Sequence, residues 1–378
     1  MDFSLSPEQE MFGSSVRKLI ESLGQTQIAR RFMEGDARAL DDVKEGFRRL
    51  ECMAVNVPEA FGGLGLSNLD TVPLFEELGR AVVPGEFPET TAFAVPLLTK
   101  SGTPGQQQFY LPKIAAGHHF VTLAWLEPQG QFDAASIQLT ARKQKDTWVL
   151  NGTKTLVPHA DAAKTLVVPA RTESGGVENG VTLFLVDAAD ARLQRKRLNS
   201  FDGTRSLLQV DFHEVEASED QVLGPVGGGW PLLSEGSLHL TAAWTTTMVG
   251  SLQRVVEMSA QYASTRVQFG QPIGRFQAVK HRIAEMKLDL ETARSLTYYA
   301  NWALQSDAPD RVAAVAAARV FVTQALITAA GHNIQIHGGI GFTWELDCHL
   351  YLKRARSLEN YLGTPDDFRE KTALAMGW

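Results

Sequence analysis

The sequence lacks the features that mark several large classes of protein. It has two cysteines in 378 residues, Cys52 and Cys348, and their wide separation argues against a disulfide framework and for a reducing cytoplasm. Its net charge is -7, and the sequence contains no cluster of basic residues. Nucleic acid is therefore not expected as a partner, because contacts to phosphates need concentrated positive charge. The first residues, MDFSLSPEQEMF, do not show the basic start and apolar run of a targeting signal.

An uninterrupted membrane-spanning run is also missing. Residues 312–330 come nearest, but Arg319 and Gln324 interrupt them, and their many alanines favour a helix buried in a bundle. The motifs of serine-hydrolase elbows and of phosphate-binding loops do not occur. No histidine has metal-ligand spacing, so we expect no metal site and predict surface or capping positions for His118, His119, His332, His337 and His349.

The most informative stretch runs from Ser264 to Ser295. Its loop combines the always charged guanidinium of Arg266, the flat apolar ring of Phe269, and two glycines that let a ligand approach the backbone, Gly270 and Gly274. Such a set suits a pyrophosphate and an aromatic ring. The same residues are equally compatible with the start of an ordinary bundle helix.

Helices are predicted on both sides of this loop. After Pro272, apolar residues spaced by four, three, four and three positions form one stripe that other helices must cover: Val279, Ile283, Met286, Leu290 and Ala293. A helix before the loop carries a second apolar face, and residues 312–334 form a third helix. Together these segments predict an up-and-down bundle.

The segment RVQFGQPIGRFQAVKHRIAEM, residues 266–286, resembles the most recognisable segment of the acyl-CoA dehydrogenases. In that family the arginine and phenylalanine hold the pyrophosphate and adenine half of FAD, and a glutamine adds a contact. The resemblance therefore implies FAD-binding roles for Arg266, Phe269 and Gln277.

A second glycine-rich motif, QIHGGIGFTWE at residues 335–345, has too many glycines for a packed helix interior. A close approach of its backbone to a ligand or to another chain is expected. It resembles the family's motif that binds the FAD phosphates of a neighbouring subunit, which implies that role for Gln335, Gly338 and Gly339.

The resemblance covers nearly the whole chain and implies a mostly α fold with a central β-domain. It predicts an N-terminal helical domain over residues 1–118, a small antiparallel β-barrel over 119–225, and a C-terminal four-helix bundle over 226–378. The residues support this order, because the apolar period changes to two near Phe120 and returns to a helical period after Pro225.

Local signals predict the ends of particular elements. Ser6, Pro7 and Gln9 form a plausible capping box at the start of the first helix. Short strands are predicted over 121–128, 136–142, 147–152, 165–171, 181–187 and 207–215. We predict a hairpin turn at Asn151-Gly152, because both residues tolerate positive φ.

The residues that would carry out the family's chemistry are not found at their usual positions. The reaction takes an α-proton from an acyl-CoA thioester with a carboxylate and passes the β-hydride to the flavin. The commonest base is the Glu of a Tyr-Glu-Gly-Thr motif, where this sequence has Leu362, and the alternative position falls on Leu240. Glu359 and Glu235 remain open as replacements, although a solvated surface role is favoured for each.

The flavin pocket shows the same change. The family's Thr-Glu-Pro-x-x-Gly-Ser-Asp stretch reads LEPQGQFD at residues 126–133, so Leu126 and Phe132 stand where hydroxyls would contact the flavin. The Trp-Ile-Thr strand beside the ring reads Leu156, Val157 and Pro158, and the proline removes a backbone donor.

The changed positions are those that face a subunit's own flavin, whereas positions that face a neighbour's FAD are retained. The pattern predicts a subunit of an α2β2 FAD-dependent acyl-CoA dehydrogenase, similar to the two-gene enzymes of bacterial steroid side-chain and dicarboxylate breakdown. A homologous partner would carry the Glu base, act on an acyl-CoA, and pass electrons to electron-transfer flavoprotein or a similar acceptor. The alternatives are a self-sufficient homotetramer with a relocated base, and a non-redox scaffold or acyl-CoA-binding protein of the same fold.

Overall fold

The fold is given by a computed structural model that describes residues 5–36, 38–172 and 176–378. The chain divides into two compact units, one of residues 1–39, 71–83 and 241–378, the other of residues 40–70 and 84–240. The first unit is helical, and the second holds the large sheet together with shorter helices. The prediction of a mostly α fold with a central β-domain is confirmed.

Eleven α-helices occur in the described residues. They are α1 (Pro7–Ser22), α2 (Gln27–Met33), α3 (Arg38–Arg49), α4 (Val72–Arg80), α5 (Val95–Ser101), α6 (Pro104–Ala115), α7 (Gly229–Thr265), α8 (Gln277–Gln305), α9 (Arg311–His337), α10 (Cys348–Glu359) and α11 (Pro365–Ala375). A single π-helical turn, Glu89–Ala94, precedes α5, and short 3₁₀ turns join several of the others.

The predicted start of α1 is confirmed. The Ser6 hydroxyl accepts a hydrogen bond from the Gln9 amide at 3.3 Å, and the Gln9 side chain accepts one from the Ser6 amide at 2.9 Å. Pro7 occupies the first turn, where its missing N–H costs nothing. This reciprocal cap satisfies two amides that the helix cannot pair internally.

Glycines let two helices of the helical unit come into backbone contact. A Cβ added to Gly79 of α4 would lie 1.7 Å from the Thr247 carbonyl oxygen of α7, and one added to Gly250 of α7 would lie 1.9 Å from that of Glu76. No side chain fits at either position. The predicted stripe along α8 is buried at Met286, Leu290 and Ala293 and half-buried at its first two members, Val279 and Ile283.

Helix α9 forms the centre of the C-terminal helices and packs against α8, α10 and α11. Together with the following turn, residues 311–342, it is long and apolar enough to cross a membrane, but 61% of its apolar window is buried inside the protein. Arg319, in the middle of this segment, is itself buried. A buried bundle helix was predicted here, and a membrane span is not evident.

The sheet of the second unit contains eight strands and is mainly antiparallel. The strands are β1 (Val121–Leu123), β2 (Thr140–Gln144), β3 (Thr147–Pro158), β4 (Thr165–Arg171), β5 (Val181–Asp187), β6 (Leu193–Arg197), β7 (Leu207–Ser218) and β8 (Val222–Leu223). Their order is β6-β7-β3-β2-β4-β5-β8, with β1 beside β4, and the β1–β4 and β2–β4 pairs are parallel. The predicted bounds of β4 and β5 are correct.

The predicted hairpin at Asn151-Gly152 is wrong. Both residues lie inside β3, which runs without interruption to Pro158 and shifts register against β7 between Leu150 and Gly152. The turn that precedes β3 lies instead at residues 145–146, where Gln144 pairs with Thr147 and Lys145 has a positive φ of 56°. The Asn-Gly pair therefore marks an irregularity in a long strand, a position that glycine also favours.

Candidate functional site

A two-residue hairpin turn holds Phe269 away from the protein surface. It joins the short antiparallel strands β9 (Val267–Gln268) and β10 (Gln271–Pro272), and both turn residues have positive φ, 53° at Phe269 and 80° at Gly270. Glycine adopts this conformation freely, but a phenylalanine does so at a cost of roughly 1–2 kcal/mol. The Phe269 side chain is 91% exposed. Backbone strain that presents an apolar ring to solvent is typical of a binding position.

The other predicted FAD-binding residues lie at the same end of the helical unit. The rings of Tyr262, near the end of α7, and His337, at the end of α9, stack with centroids 4.2 Å apart. The amide of Arg266 donates to the Tyr262 carbonyl at 2.9 Å, so the hairpin begins directly beside this stack. Arg282 of α8 lies 3.0 Å from the His332 ring of α9, which brings the start of α8 to the same place.

This geometry places six residues at one end of three helices, and five of them are exposed while the sixth is half-buried. The exposed residues are Arg266, Phe269, Gln277, Gln335 and Gly339, and the half-buried one is Gly338. The helix predicted to follow Pro272 begins later than expected. A 3₁₀ turn over Ile273–Arg275 comes first, and α8 begins at Gln277. FAD binding by these residues stays a prediction.

The glycines at this end of the helical unit are accommodated for different structural reasons. Gly338 ends α9 with a positive φ of 64°, a conformation that favours glycine, whereas Gly339 has no such φ and a Cβ added to it would meet no atom within 4 Å. At Gly341, by contrast, it would lie 2.6 Å from the Ile334 carbonyl oxygen, and at Gly274 3.0 Å from that of Ala263. Gly274 therefore allows close packing against α7, Gly338 allows the turn that ends α9, and neither backbone conformation nor packing in this chain accounts for Gly339. The donor set fits FAD.

The positions that would face a subunit's own flavin carry apolar side chains. Leu126 is buried, and the Phe132 ring lies edge-on to Trp125 at 5.2 Å. Leu156 has a positive φ of 50° and is 43% exposed. A strained backbone thus presents a leucine side chain where the family resemblance implies a tryptophan.

An ion pair inside the sheet fixes this segment. Lys154 Nζ lies 2.7 Å from Glu127 Oε1 and donates a second hydrogen bond, of 3.1 Å, to the Trp125 carbonyl. Glu127 also accepts from the amides of Gln138 and Leu139 at 2.9 and 3.0 Å. Burial lowers the pKa of Lys154 to about 8, and the Glu127 carboxylate opposes that shift.

The usual base position is apolar and closely held. Leu362 is buried and has a positive φ of 69°. The preceding residue, Tyr361, packs edge-on against Trp244 with ring centroids 6.1 Å apart. The buried guanidinium of Arg319 donates to the carbonyls of Leu358 and Tyr361, the latter at 3.0 Å. The sequence signal for this contact is Arg319, the one charged residue within the apolar run of residues 312–330 in α9.

The two replacement carboxylates have other contacts. Glu359 Oε2 forms an i,i+3 ion pair with Arg356 at 3.0 Å, and its side chain is about a quarter exposed. Glu235 lies 3.9 Å from the His239 ring and lines a cavity of about 260 Å³ between α5 and the first turns of α7. Leu240, at the alternative base position, is fully buried.

The histidine predictions need correction. His118 is exposed and His332 is half-buried, but His119, His337 and His349 are buried. The apolar surroundings of His119 and His349 were not visible in the sequence, because neither residue lies in a clear periodic pattern. Among the described residues no group of three or more His, Cys, Asp or Glu side chains could hold a metal ion.

Known proteins provide a direct comparison. Family models for the acyl-CoA dehydrogenase N-terminal, middle and C-terminal domains match residues 6–118, 122–215 and 227–373. The mitochondrial isovaleryl-CoA dehydrogenase of Solanum tuberosum is 30% identical over 321 residues, which cover 83% of this chain and 77% of that protein.

Solved structures share the fold. Butyryl-CoA dehydrogenase from Megasphaera elsdenii superposes with a TM-score of 0.93 at 23% identity, over 100% of both chains. A chain of the ChsE4-ChsE5 complex from Mycobacterium tuberculosis gives a TM-score of 0.89 at 24% identity, over 100% of this chain and 99% of that one. The chain belongs to the acyl-CoA dehydrogenase family of FAD-binding flavoprotein oxidoreductases, which act on CH–CH bonds.

Proposed function

We propose that this chain is a subunit of an α2β2 acyl-CoA dehydrogenase that completes the FAD site of a homologous partner in the cytoplasm. The partner carries the Glu base and the acyl-CoA, and electrons pass to electron-transfer flavoprotein or a similar acceptor. One observation carries the proposal. The Phe269 ring is 91% exposed although it lies edge-on to Phe276, a Cβ at Gly339 would meet no atom of this chain, and the usual base position is a buried leucine, Leu362.

Each retained residue has a distinct physical task. The guanidinium of Arg266 neutralises pyrophosphate charge, since its planar fork matches two phosphate oxygens at once. The Phe269 ring, already held outward by its turn, covers an adenine ring without further ordering cost. Gly338 and Gly339 let phosphate oxygens reach backbone amides. Bound FAD supplies the hydride acceptor of the reaction.

This chain contributes no proton acceptor at the α-carbon. Leu362 has no lone pair, Glu359 is held by Arg356, and Glu235 lies beside His239 at a cavity next to α5. The partner's carboxylate must therefore take the α-proton. Among the solved structures of the same fold, the ChsE4-ChsE5 complex joins two different chains, which is a precedent for the mixed assembly proposed here.

Coexpression with a Glu-bearing homologue tests the proposal. The complex should be yellow, active on an acyl-CoA, and contain about one FAD per pair of chains, whereas the chain alone should be inactive and nearly colourless. Arg266→Ala in this chain should release FAD from the complex, and Phe269→Ala should weaken its retention. Arg369→Ala, which removes an exposed arginine from α11, is the matched control and should leave the flavin content unchanged.

Two outcomes would overturn this assignment. The isolated chain could bind a full complement of FAD and desaturate an acyl-CoA, with Glu359→Gln abolishing turnover while flavin is kept. Alternatively, Arg266→Ala could leave the flavin content of the complex unchanged, as expected for a scaffold without a redox role.

A further inference from the structure

The second unit contains a cleft that the proposed function does not use. It has a volume of about 690 Å³ and lies between α6 and the ends of β4, β5 and β6. Its lining residues are aromatic, small or charged: Phe109, Tyr110, His119, Lys164, Ala189 and Arg195 are the principal ones. The volume falls within the range of roughly 300–1,000 Å³ that small-molecule sites occupy.

The floor of the cleft is a buried polar cluster. The His119 ring lies 2.9 Å from the Thr165 hydroxyl, and both side chains are more than nine-tenths buried. Burial, followed by the charges of Lys164 and Lys113, lowers the pKa of His119 to about 4, so the ring is neutral at physiological pH. The Tyr110 hydroxyl also bonds Thr165. The floor thus offers neutral hydrogen-bonding groups without an ionised one.

One wall of the cleft is aromatic. The rings of Phe109 and Tyr110 meet edge-on with centroids 4.8 Å apart, and Tyr110 lies 5.3 Å from the His119 ring. Phe109 is half-exposed despite its size, and the Lys113 ammonium lies over the Phe109 ring, 3.2 Å from its centroid. Such a wall suits a flat ring, because aromatic pairs favour edge-on and offset contacts.

The rim carries exposed cations, and each of its two carboxylates accepts a hydrogen bond from a neutral donor. Lys164 and Arg195 are both exposed, and Arg195 donates one long bond, of 3.4 Å, to a backbone carbonyl. Asp187 accepts from the Ala189 amide at 2.9 Å, and Asp161 accepts from the Ser206 hydroxyl at 2.8 Å. With Lys113 included, three cations surround the cleft against two carboxylates, in a chain whose net charge is -7.

We propose that this cleft binds a small molecule that joins an aromatic ring to a carboxylate. The ring packs against Phe109 and Tyr110, and the carboxylate lies between Lys164 and Arg195. None of these residues belongs to the set assigned to FAD, so the site is separate from the cofactor's own contacts.

Phenylacetate is the probe for this site. Its binding to the full chain is measured by ligand-observed NMR and calorimetry, with phenethylamine as the same ring bearing a cation and cyclohexylacetate as the same carboxylate without an aromatic ring. Phenylacetate should bind more tightly than either. The double variant Lys164→Gln/Arg195→Gln should raise its Kd by roughly fivefold or more, since two exposed charge contacts are lost.

Lys196→Gln is the matched control. It removes the same charge from the neighbouring position of β6, whose side chain points to the opposite face of the strand. The Kd of phenylacetate for Lys196→Gln should equal its Kd for the wild type. Ala189→Trp, at an exposed lining position, should block the cleft and abolish binding while the circular dichroism melting curve stays unchanged.

The proposal is overturned if phenylacetate fails to bind at millimolar concentrations, or if phenethylamine binds equally well. It is also overturned if Lys196→Gln weakens binding as much as the double variant does. Flavin content of the coexpressed complex should be the same in all these variants, so failure here leaves the proposed role in completing the FAD site untouched.

Discussion

The buried ion pair of Glu127 and Lys154 offers a quantitative test of how the sheet unit is stabilised. Lys154→Met keeps most of the side-chain volume but removes the cation, so the buried Glu127 carboxylate retains only its two backbone donors. Removing one partner of a buried pair costs about 3–5 kcal/mol. Because two amide hydrogen bonds to the carboxylate survive, we expect a loss of about 3 kcal/mol in the free energy of unfolding.

Urea unfolding at pH 7, followed by circular dichroism, measures this loss. The double variant Lys154→Met/Glu127→Gln removes both charges, and it should lose about 2 kcal/mol less than the sum of the single variants because the two groups are coupled. Lys143→Met is the control. Lys143 pairs with Glu219 on the surface with both side chains half-exposed, so its loss should cost less than about 1 kcal/mol.

Two results would refute the reasoning. Lys154→Met could prove as stable as Lys143→Met, which would mean that the pair contributes no more than a surface contact. The single-variant losses could also add without coupling, which would mean that Glu127 does not depend on Lys154 for its burial.

Three further predictions concern pH, packing and chemistry. The folded chain holds His119 neutral with a pKa of about 4, whereas the unfolded chain protonates it near 6.5, so its contribution is full above pH 6.5 and is lost as pH falls towards 4. The free energy of unfolding from urea titrations should therefore fall by up to about 3 kcal/mol over that window, and by less in His119→Gln. Gly250→Ala should destabilise the helical unit by more than about 3 kcal/mol in the same assay, because its Cβ would overlap a backbone oxygen, whereas Gly339→Ala should change stability by less than about 1 kcal/mol. Leu362→Glu in the isolated chain should cost about 2–4 kcal/mol by burying a carboxylate and should yield no dehydrogenase activity in a dye-reduction assay.

The sequence predicted the fold where local chemistry and periodicity agreed. The capping box at Ser6 and the strands β4 and β5 have strong, short-range signals, and the structure places them as expected. The hairpin at Asn151-Gly152 failed because a strand bulge and a tight turn both favour glycine and asparagine. Strand β6 was missed because its sequence, LQRKR, is polar and exposed over four of five positions, as an edge strand permits.

The candidate site, too, could be predicted from the sequence only in part. Motif spacing was sufficient to select Arg266 and Phe269, and the structure adds their exposure and the strained turn. It was not sufficient to find the contact between Arg319 and the turn at Leu362, because a contact across 42 residues depends on how α9 and α10 pack. Nor did it find the cleft beside His119, whose walls come from a helix and three strands distant in sequence.

The outward ring of Phe269 also has a consequence for how the protein is made. Phe342 and Trp344, which follow the glycines of the motif at residues 335–345, are 75% and 61% exposed. This end of the helical unit therefore exposes several large apolar side chains to water. Surfaces of that kind promote self-association unless another molecule covers them. A cell that synthesised this polypeptide in excess over whatever covers that end would accumulate aggregation-prone material, so matched production of the two is an advantage in itself.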